Sequence, residues 1–149
     1  MTEGDFWTLI AALGGSIDRI AAEGLADQLR ARGEDAVTGF ADHLAAALYA
    51  IDTSTGADQL IVDPTAGPEP MTMSDDLFRY ARCAVVAAGR PTWQRGPGRP
   101  DANGRRLGGL RREWLLTVAP DAYGAPTGRP WTHETPVCYE TGSNPDGWP

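Results

Sequence analysis

Lysine is absent from the sequence, so all 13 basic side chains are arginines. Cysteine occurs only twice, at Cys83 and Cys138, which is too few for a disulfide-stabilised scaffold. The longest apolar run, residues 44–51, is far shorter than the roughly 20 residues of a membrane-spanning helix. The chain also begins with acidic residues, unlike a secretory signal. These absences predict a cytoplasmic protein with no membrane segment.

The chain has the length of one domain. Its 149 residues bury enough surface to fold without a disulfide or a metal. The 12 prolines and 18 glycines concentrate after residue 63, which predicts a loop-rich second half. We therefore expect a single domain, 1–149, with a helical body at about 2–119 and no cofactor.

Charge is distributed unevenly along the chain, whose formal net charge is −7. Residues 1–76 hold 14 acidic side chains and three arginines, whereas residues 77–149 hold six acidic side chains and ten arginines. Such asymmetry is typical of an interaction surface, but it also arises when the two halves pack together and neutralise each other. We favour the second interpretation, because overall charge governs solubility and association rather than fold.

Apolar residues recur at intervals of three and four in five segments, which is the period of an amphipathic helix. The clearest repeat consists of Val37, Phe40, Leu44, Leu48 and Ile51. The predicted helices cover residues 3–13, 17–32, 35–51, 75–88 and 105–118, with N-caps at Thr2, Ser16 and Ser74. Short glycine-marked breaks between the first three favour antiparallel neighbours. The predicted fold is mainly α, with about five helices in an orthogonal or bundle-like array.

Proline-rich stretches separate and follow these helices. Residues 53–73 are predicted to form a loop, and residues 90–104 a loop rich in arginine, glycine and proline. Pro120 is predicted to stop the fifth helix, leaving an irregular tail at 120–149. The tail carries Trp131 and Tyr139, whose rings are costly to leave in water. We expect the tail to pack on the body with both rings inward.

Several short motifs resemble a family of bacterial proteins described as domain of unknown function 4240. They are Phe6-Trp7-Thr8-Leu9-Ile10, Ser74-Asp75-Asp76 with Phe78 and Arg82, Gly89-Arg90, the segment 118–123, and Thr127-Gly128. The resemblance covers about two thirds of the chain in pieces. The chain departs from the family at residues 53–73 and after Arg90. The resemblance implies a helical fold and no established activity, so it assigns no catalytic residue.

The densest polar cluster lies at the start of the fourth predicted helix. Asp75 and Asp76 precede Arg79 by four and three residues, so one guanidinium can serve both carboxylates. With Arg90, this cluster is a candidate site for a ligand or a partner. The structural alternative, which we favour, is an N-cap at Ser74, acids that complement the helix dipole, and weak surface ion pairs.

Metal and nucleophile chemistry have little support in the sequence. The residue types of a zinc site occur at His43, Cys83, His133 and Cys138, but without the closely spaced pairs typical of zinc ligands. The same residues, or Ser74 with His43, contain the elements of a catalytic dyad, yet no nucleophile-elbow motif is present. We expect neither a metal nor a catalytic residue.

The arginine-rich stretch contains Arg95 and Arg99 within Arg-Gly-Pro-Gly-Arg-Pro, which is similar to a minor-groove hook. The acidic character of the whole chain argues against nucleic acid, because phosphates are repelled at long range. Arginines and loop tryptophans together are also typical of protein interfaces.

The preferred hypothesis is a non-catalytic protein that binds a protein partner through a charged face. One alternative is a small enzyme or ligand-binding domain with a pocket between the fourth predicted helix and the tail. A second alternative is nucleic-acid binding through the arginine-rich loop. The candidate binding residues are Asp75, Asp76, Arg79, Arg90, Arg95, Arg99, Tyr139, Glu140 and Asn144.

Overall fold

The computed structural model of the chain describes residues 1–60, 69–96 and 113–148. Across these ranges it contains helices and no strand, which confirms the mainly α prediction. The helices are α1 (Glu3–Ala11), α2 (Arg19–Arg32), α3 (Glu34–Ala50), α4 (Ser54–Ala57), α5 (Asp75–Ala87), α6 (Arg90–Gln94) and α7 (Trp114–Thr127). No helix in these ranges is long and apolar enough to cross a membrane.

Two of the three predicted N-caps are confirmed. The Thr2 hydroxyl accepts a hydrogen bond from Asp5 N at 3.2 Å, and Ser74 Oγ accepts one from Leu77 N at 3.3 Å. The prediction that Ser16 caps α2 is wrong. Asp18 is the cap instead, because its carboxylate accepts the Ala21 N–H at 2.8 Å and so begins the helix at Arg19.

Helix α3 lies at the centre of the fold, in contact with α1, α2, α5 and α7. Its predicted apolar repeat is buried from Val37 to Ile51, which confirms that this face points into the core. Helix α2 packs along α7, and Leu25, Leu29 and Leu115 are buried in the same core. This arrangement places the C-terminal end of α3 beside α5.

The prediction that Pro120 ends the last helix is wrong. Helix α7 runs through Pro120 to Thr127 and ends at Gly128, whose φ is +62°. An interior proline costs about 3 kcal/mol, but the apolar face continues beyond it at Ala122 and Tyr123, both buried. Burial of this face therefore outweighs the missing backbone hydrogen bond. The predicted start of this helix, residues 105–112, lies outside the described residues.

Both predicted loops contain a short helix, so the loop predictions are wrong in part. In the stretch 53–73, Thr53 Oγ1 accepts the Gly56 N–H at 3.2 Å and caps the single turn of α4. In the stretch 90–104, α6 follows Gly89 and has Pro91 in its first turn, where the missing N–H costs nothing. Residues 61–68 and 97–104 lie outside the described residues.

The irregular tail begins at residue 128, eight residues later than predicted, and packs on the helical body. Trp131 and Tyr139 are partly buried against the core, as predicted. The Trp131 ring meets Tyr123 of α7 edge-on, with 5.4 Å between centroids. His133 Nε2 lies 2.7 Å from Asp42 Oδ1 of α3. The tail is therefore fixed to two helices before it reaches residue 139.

Candidate functional site

The C-terminal end of α3 is capped by side chains from three other parts of the chain. A helix leaves its last four carbonyl groups without partners inside the helix. Here those of Ala47, Leu48 and Tyr49 accept side-chain hydrogen bonds. The bonds run from Trp93 Nε1 to Ala47 O at 2.8 Å, from Arg82 Nη1 to Leu48 O at 3.0 Å, and from Asn144 Nδ2 to Tyr49 O at 3.1 Å.

Asp52 follows this helix end and is completely buried. Its carboxylate accepts four hydrogen bonds, all from residues 142–148, which belong to a segment that we call the C-terminal loop (residues 139–148). The donors are Gly142 N at 3.3 Å, Asn144 N at 3.1 Å, Trp148 Nε1 at 3.0 Å and, at 3.4 Å, Ser143 Oγ, which shares its one hydrogen with Cys138 O at 2.7 Å. A carboxylate has about four acceptor positions, so Asp52 has none left for a substrate.

Arg82 provides the opposite charge, and its side chain is also fully buried. Its Nη1 lies 3.8 Å from Asp52 Oδ1, and its Nη2 donates to Tyr139 O at 3.0 Å and to Thr141 Oγ1 at 3.3 Å. Burial lowers the pKa of Arg82, and the neighbouring Asp52 carboxylate opposes that effect. The guanidinium is therefore a buried cation that joins the end of α3 to the C-terminal loop.

Two glycines allow the C-terminal loop to approach this closely. A Cβ on Gly147 would lie 2.1 Å from the backbone oxygen of Asp52, so no side chain fits there. Gly147 O also accepts the Ser54 N–H at 2.8 Å. Gly142 has a φ of +80°, which residues with a Cβ rarely adopt. The glycines of the C-terminal loop therefore permit its close packing against the body.

The outer surface of this junction is charged. Arg79 lies between Asp76, at 2.6 Å, and Glu140 of the C-terminal loop, with which it also pairs. Burial opposes the charged form of Arg79, but the carboxylate of Glu140, a hydrogen bond with Tyr80 and the carboxylate of Asp76 together raise its pKa. Asp75 contributes its backbone oxygen, which accepts from Thr141 Oγ1 at 2.8 Å. We call Asp75, Asp76, Arg79 and Glu140 the α5–loop face.

The structure separates the remaining predicted arginines from this face. Arg90 is the first residue of α6, beyond the opposite end of α5, and pairs with Glu3 Oε1 at 3.0 Å. Arg95 Nη2 donates to Thr92 Oγ1 at 3.0 Å within the α6 region. Arg99 lies outside the described residues. Of the predicted cluster, Asp75, Asp76 and Arg79 therefore lie together, with Glu140 beside them, and Arg90 lies elsewhere.

The residues of the alternative ligand pocket are used within the protein. Asn144 is buried, and its amide donates to Tyr49 O and accepts the Asp146 N–H at 3.2 Å. Tyr139 is half-buried, and its burial raises the pKa of the phenol. Both side chains hold the C-terminal loop on the body, while Glu140 points to the surface.

The candidate metal and nucleophile residues are dispersed. Cys83 is completely buried in α5, and its burial raises the pKa of the thiol to about 12. Cys138 is exposed, and His43 Nε2 lies 3.1 Å from Met1 O. Across residues 1–60, 69–96 and 113–148, no group of three or more His, Cys, Asp or Glu side chains is placed to hold a metal ion.

Sequence reasoning missed Asp52 as a centre of this arrangement. The sequence did contain one signal, which is the position of Asp52. It is an acidic residue directly after the apolar end of a predicted helix, where the helix dipole disfavours negative charge. Such a residue needs donors from elsewhere in the chain. The glycine-rich segment 139–148 supplies them, but its pairing with Asp52 spans 90 or more residues.

Comparison with known proteins places the helical part of the chain in a family. No curated protein and no solved structure matches the chain. A family model described as "Protein of unknown function (DUF4240)" matches residues 1–124. The match contains both Asp52 and Arg82, whereas the C-terminal loop that binds them follows it. The chain therefore belongs to the DUF4240 family.

Proposed function

We propose that this protein is a non-catalytic interaction domain that binds a protein partner through the α5–loop face. The observation that carries the proposal is the anchoring of the C-terminal loop by Asp52. Four hydrogen bonds to one buried carboxylate hold Glu140 at a fixed place beside α5. A surface that is already ordered loses little conformational entropy on binding, which favours affinity.

The ionisable groups at this junction divide into an inner and an outer set. Asp52 and Arg82 are buried and make their hydrogen bonds within the protein. Asp76 and Glu140 have side chains that are 69% and 61% exposed. The inner pair therefore serves the fold, whereas the outer carboxylates, which pair with Arg79, are exposed to a partner.

The charge of the face favours a basic partner surface. Asp75, Asp76 and Glu140 provide three exposed carboxylates, and those of Asp76 and Glu140 pair with the mostly buried guanidinium of Arg79. Complementary arginine or lysine side chains would be steered towards such a face, with an association rate that falls as salt rises.

The test compares two variants with equal changes in charge. The face variant carries Asp75→Asn, Asp76→Asn and Glu140→Gln. The control carries Glu23→Gln, Asp27→Asn and Glu34→Gln, at exposed positions on α2 and at the start of α3. Tagged wild-type protein is expected to capture a defined partner from the host, and the control variant to retain it. The face variant should lose it.

Equal thermal stability of the two variants must be shown first, so that lost capture reports on the face rather than on unfolding. Capture of the same partner at the same level by wild type, control and face variant would contradict the proposal. Failure to capture any specific partner at low salt would contradict it as well.

A further inference from the structure

The C-terminal loop lies on the helical body as a bound peptide lies in its recognition site. It has no helix or strand of its own, and eight of its ten residues hydrogen-bond or ion-pair with the body. Their partners belong to two short stretches of the body, the end of α3 with residues 52–54, and α5. The contact surface is therefore compact and continuous.

The surface of the body under the C-terminal loop is complementary to this segment. Without the loop, Asp52 would lose all four hydrogen-bond donors, and Arg82 would lose two of its acceptors. This charged pair has its full set of protein partners only when such a segment is bound, so the body retains a tendency to bind one. Selectivity comes from Gly147, because any Cβ there would collide with the backbone of Asp52.

We propose that the end of α3, Asp52 and Arg82 form a recognition site for the segment 139–148, and that a second copy of the chain can supply this segment. The second copy is the favoured occupant because its loop carries the same donors, acceptors and glycines. Gly128, exposed and with a φ of +62°, marks the point at which the tail leaves α7. The ten residues that follow reach about 33 Å when extended, enough to pass to a neighbour once Trp131 leaves Tyr123 and His133 leaves Asp42.

In the wild-type protein the chain's own loop competes for the site. Because the chain's own loop is tethered close to the site, its effective concentration there is in the millimolar range. A neighbour's loop therefore binds only where the chain's own loop is prevented from binding. This inference goes beyond the proposed function, since it concerns the inner groups, Asp52 and Arg82, rather than the exposed carboxylates. Both rest on the anchoring of the C-terminal loop by Asp52, but their tests are separate, because one substitutes the exposed carboxylates and the other substitutes Gly147 and Asp52.

Two full-length variants separate the two halves of the interaction. Gly147→Ala leaves the site intact but blocks the chain's own loop, and Asp52→Asn disables the site but leaves the loop intact. Each variant alone is expected to be monomeric by sedimentation, whereas an equimolar mixture should form a heterodimer. As a second readout, a fluorescent peptide of residues 138–149 should bind the Gly147→Ala chain at least about tenfold more tightly than its own Gly147→Ala version.

The controls decide among the outcomes. Circular dichroism must show that both variants are folded. If Gly147→Ala does not fold, Trp148→Ala is used in its place. The Trp148→Ala substitution weakens the chain's own loop because it removes one hydrogen-bond donor to Asp52 and the ring contact with Phe78. A double variant, Gly147→Ala with Asp52→Asn, should not bind the peptide. Peptide binding without a heterodimer would overturn the second copy as occupant. Absence of both would overturn the recognition site itself.

Discussion

At the scale of single residues, Asp52 is the side chain that holds the C-terminal loop on the helical body. It lies after the last turn of α3, where a negative charge opposes the helix dipole, and it is nevertheless fully buried. The N–H and O–H donors of the C-terminal loop compensate for this position, and Arg82 lies close enough to neutralise the charge. A buried group of this kind is costly to alter, because removing it leaves several partners unsatisfied.

The Asp52→Asn variant is expected to be less stable than the wild type by about 3–5 kcal/mol. The amide presents N–H donors to the loop's own donors and leaves Arg82 as an uncompensated buried cation. Urea unfolding measures the loss. The matched control is Asp58→Asn, at an exposed position after α4, which should change stability by no more than about 0.5 kcal/mol. Equal effects of the two substitutions would show that the carboxylate of Asp52 is not the anchor.

Cys83 predicts a pH dependence of stability. Burial raises the pKa of its thiol from 9.0 to about 12 in the folded protein. Between these values the unfolded chain has lost the proton that the folded chain retains, so stability falls as the pH rises. The slope attributable to this group approaches about 1.4 kcal/mol per pH unit.

Comparison with Cys83→Ala isolates this contribution from that of every other ionisable group, because the rest of the chain is the same in both proteins. The stability advantage of wild type over the variant should shrink between about pH 8 and about pH 10.5 in urea titrations. An advantage that stays constant across this range would mean that the thiol is accessible to water in the folded protein.

At the scale of elements, helical periodicity predicted the helices with strong apolar repeats and failed where long-range contacts decide. The face of α3 was correctly predicted from Val37 to Ile51, because each position is buried against a neighbouring helix. Pro120 was misjudged because its local preference is overcome by burial of α7 against α2, a contact that one segment of sequence does not encode.

Replacing Pro120 with alanine should therefore stabilise the protein, by up to about 3 kcal/mol. Alanine restores the N–H that can bond the carbonyl of Leu116 and removes the clash of the ring with the preceding turn. Thermal unfolding provides the measurement. Pro91→Ala is the control, since Pro91 lies in the first turn of α6, where alanine restores no intrahelical bond. A lower melting temperature for Pro120→Ala would contradict a continuous α7.

The candidate site was only partly predictable for the same reason. The acid–arginine spacing at Asp76 and Arg79 is local and was identified from the sequence, and the structure contains that pair. The pairing of Arg79 with Glu140, and of Asp52 with residues 142–148, links distant parts of the chain. Such long-range pairings cannot be predicted from a single sequence.

At the scale of the whole molecule, ion pairs connect the acidic first half of the chain to the arginine-bearing second half. Glu3 pairs with Arg90, and Asp52 lies beside Arg82. Asp76 pairs with Arg79 across the point where the composition changes. These pairs fit the interpretation that the charge asymmetry serves packing. The exposed acids of the α5–loop face are those that we propose for contact with a partner.

The anchoring of the C-terminal loop by Asp52 is the central claim, and amide hydrogen exchange tests it most directly. In the wild type, the Gly142 and Asn144 amides donate to Asp52 and should exchange at least about 100-fold more slowly than in a free peptide. In Asp52→Asn they should lose most of this protection while the buried amides of α2 remain protected. Exchange of both amides at the free-peptide rate in the wild type would contradict the account.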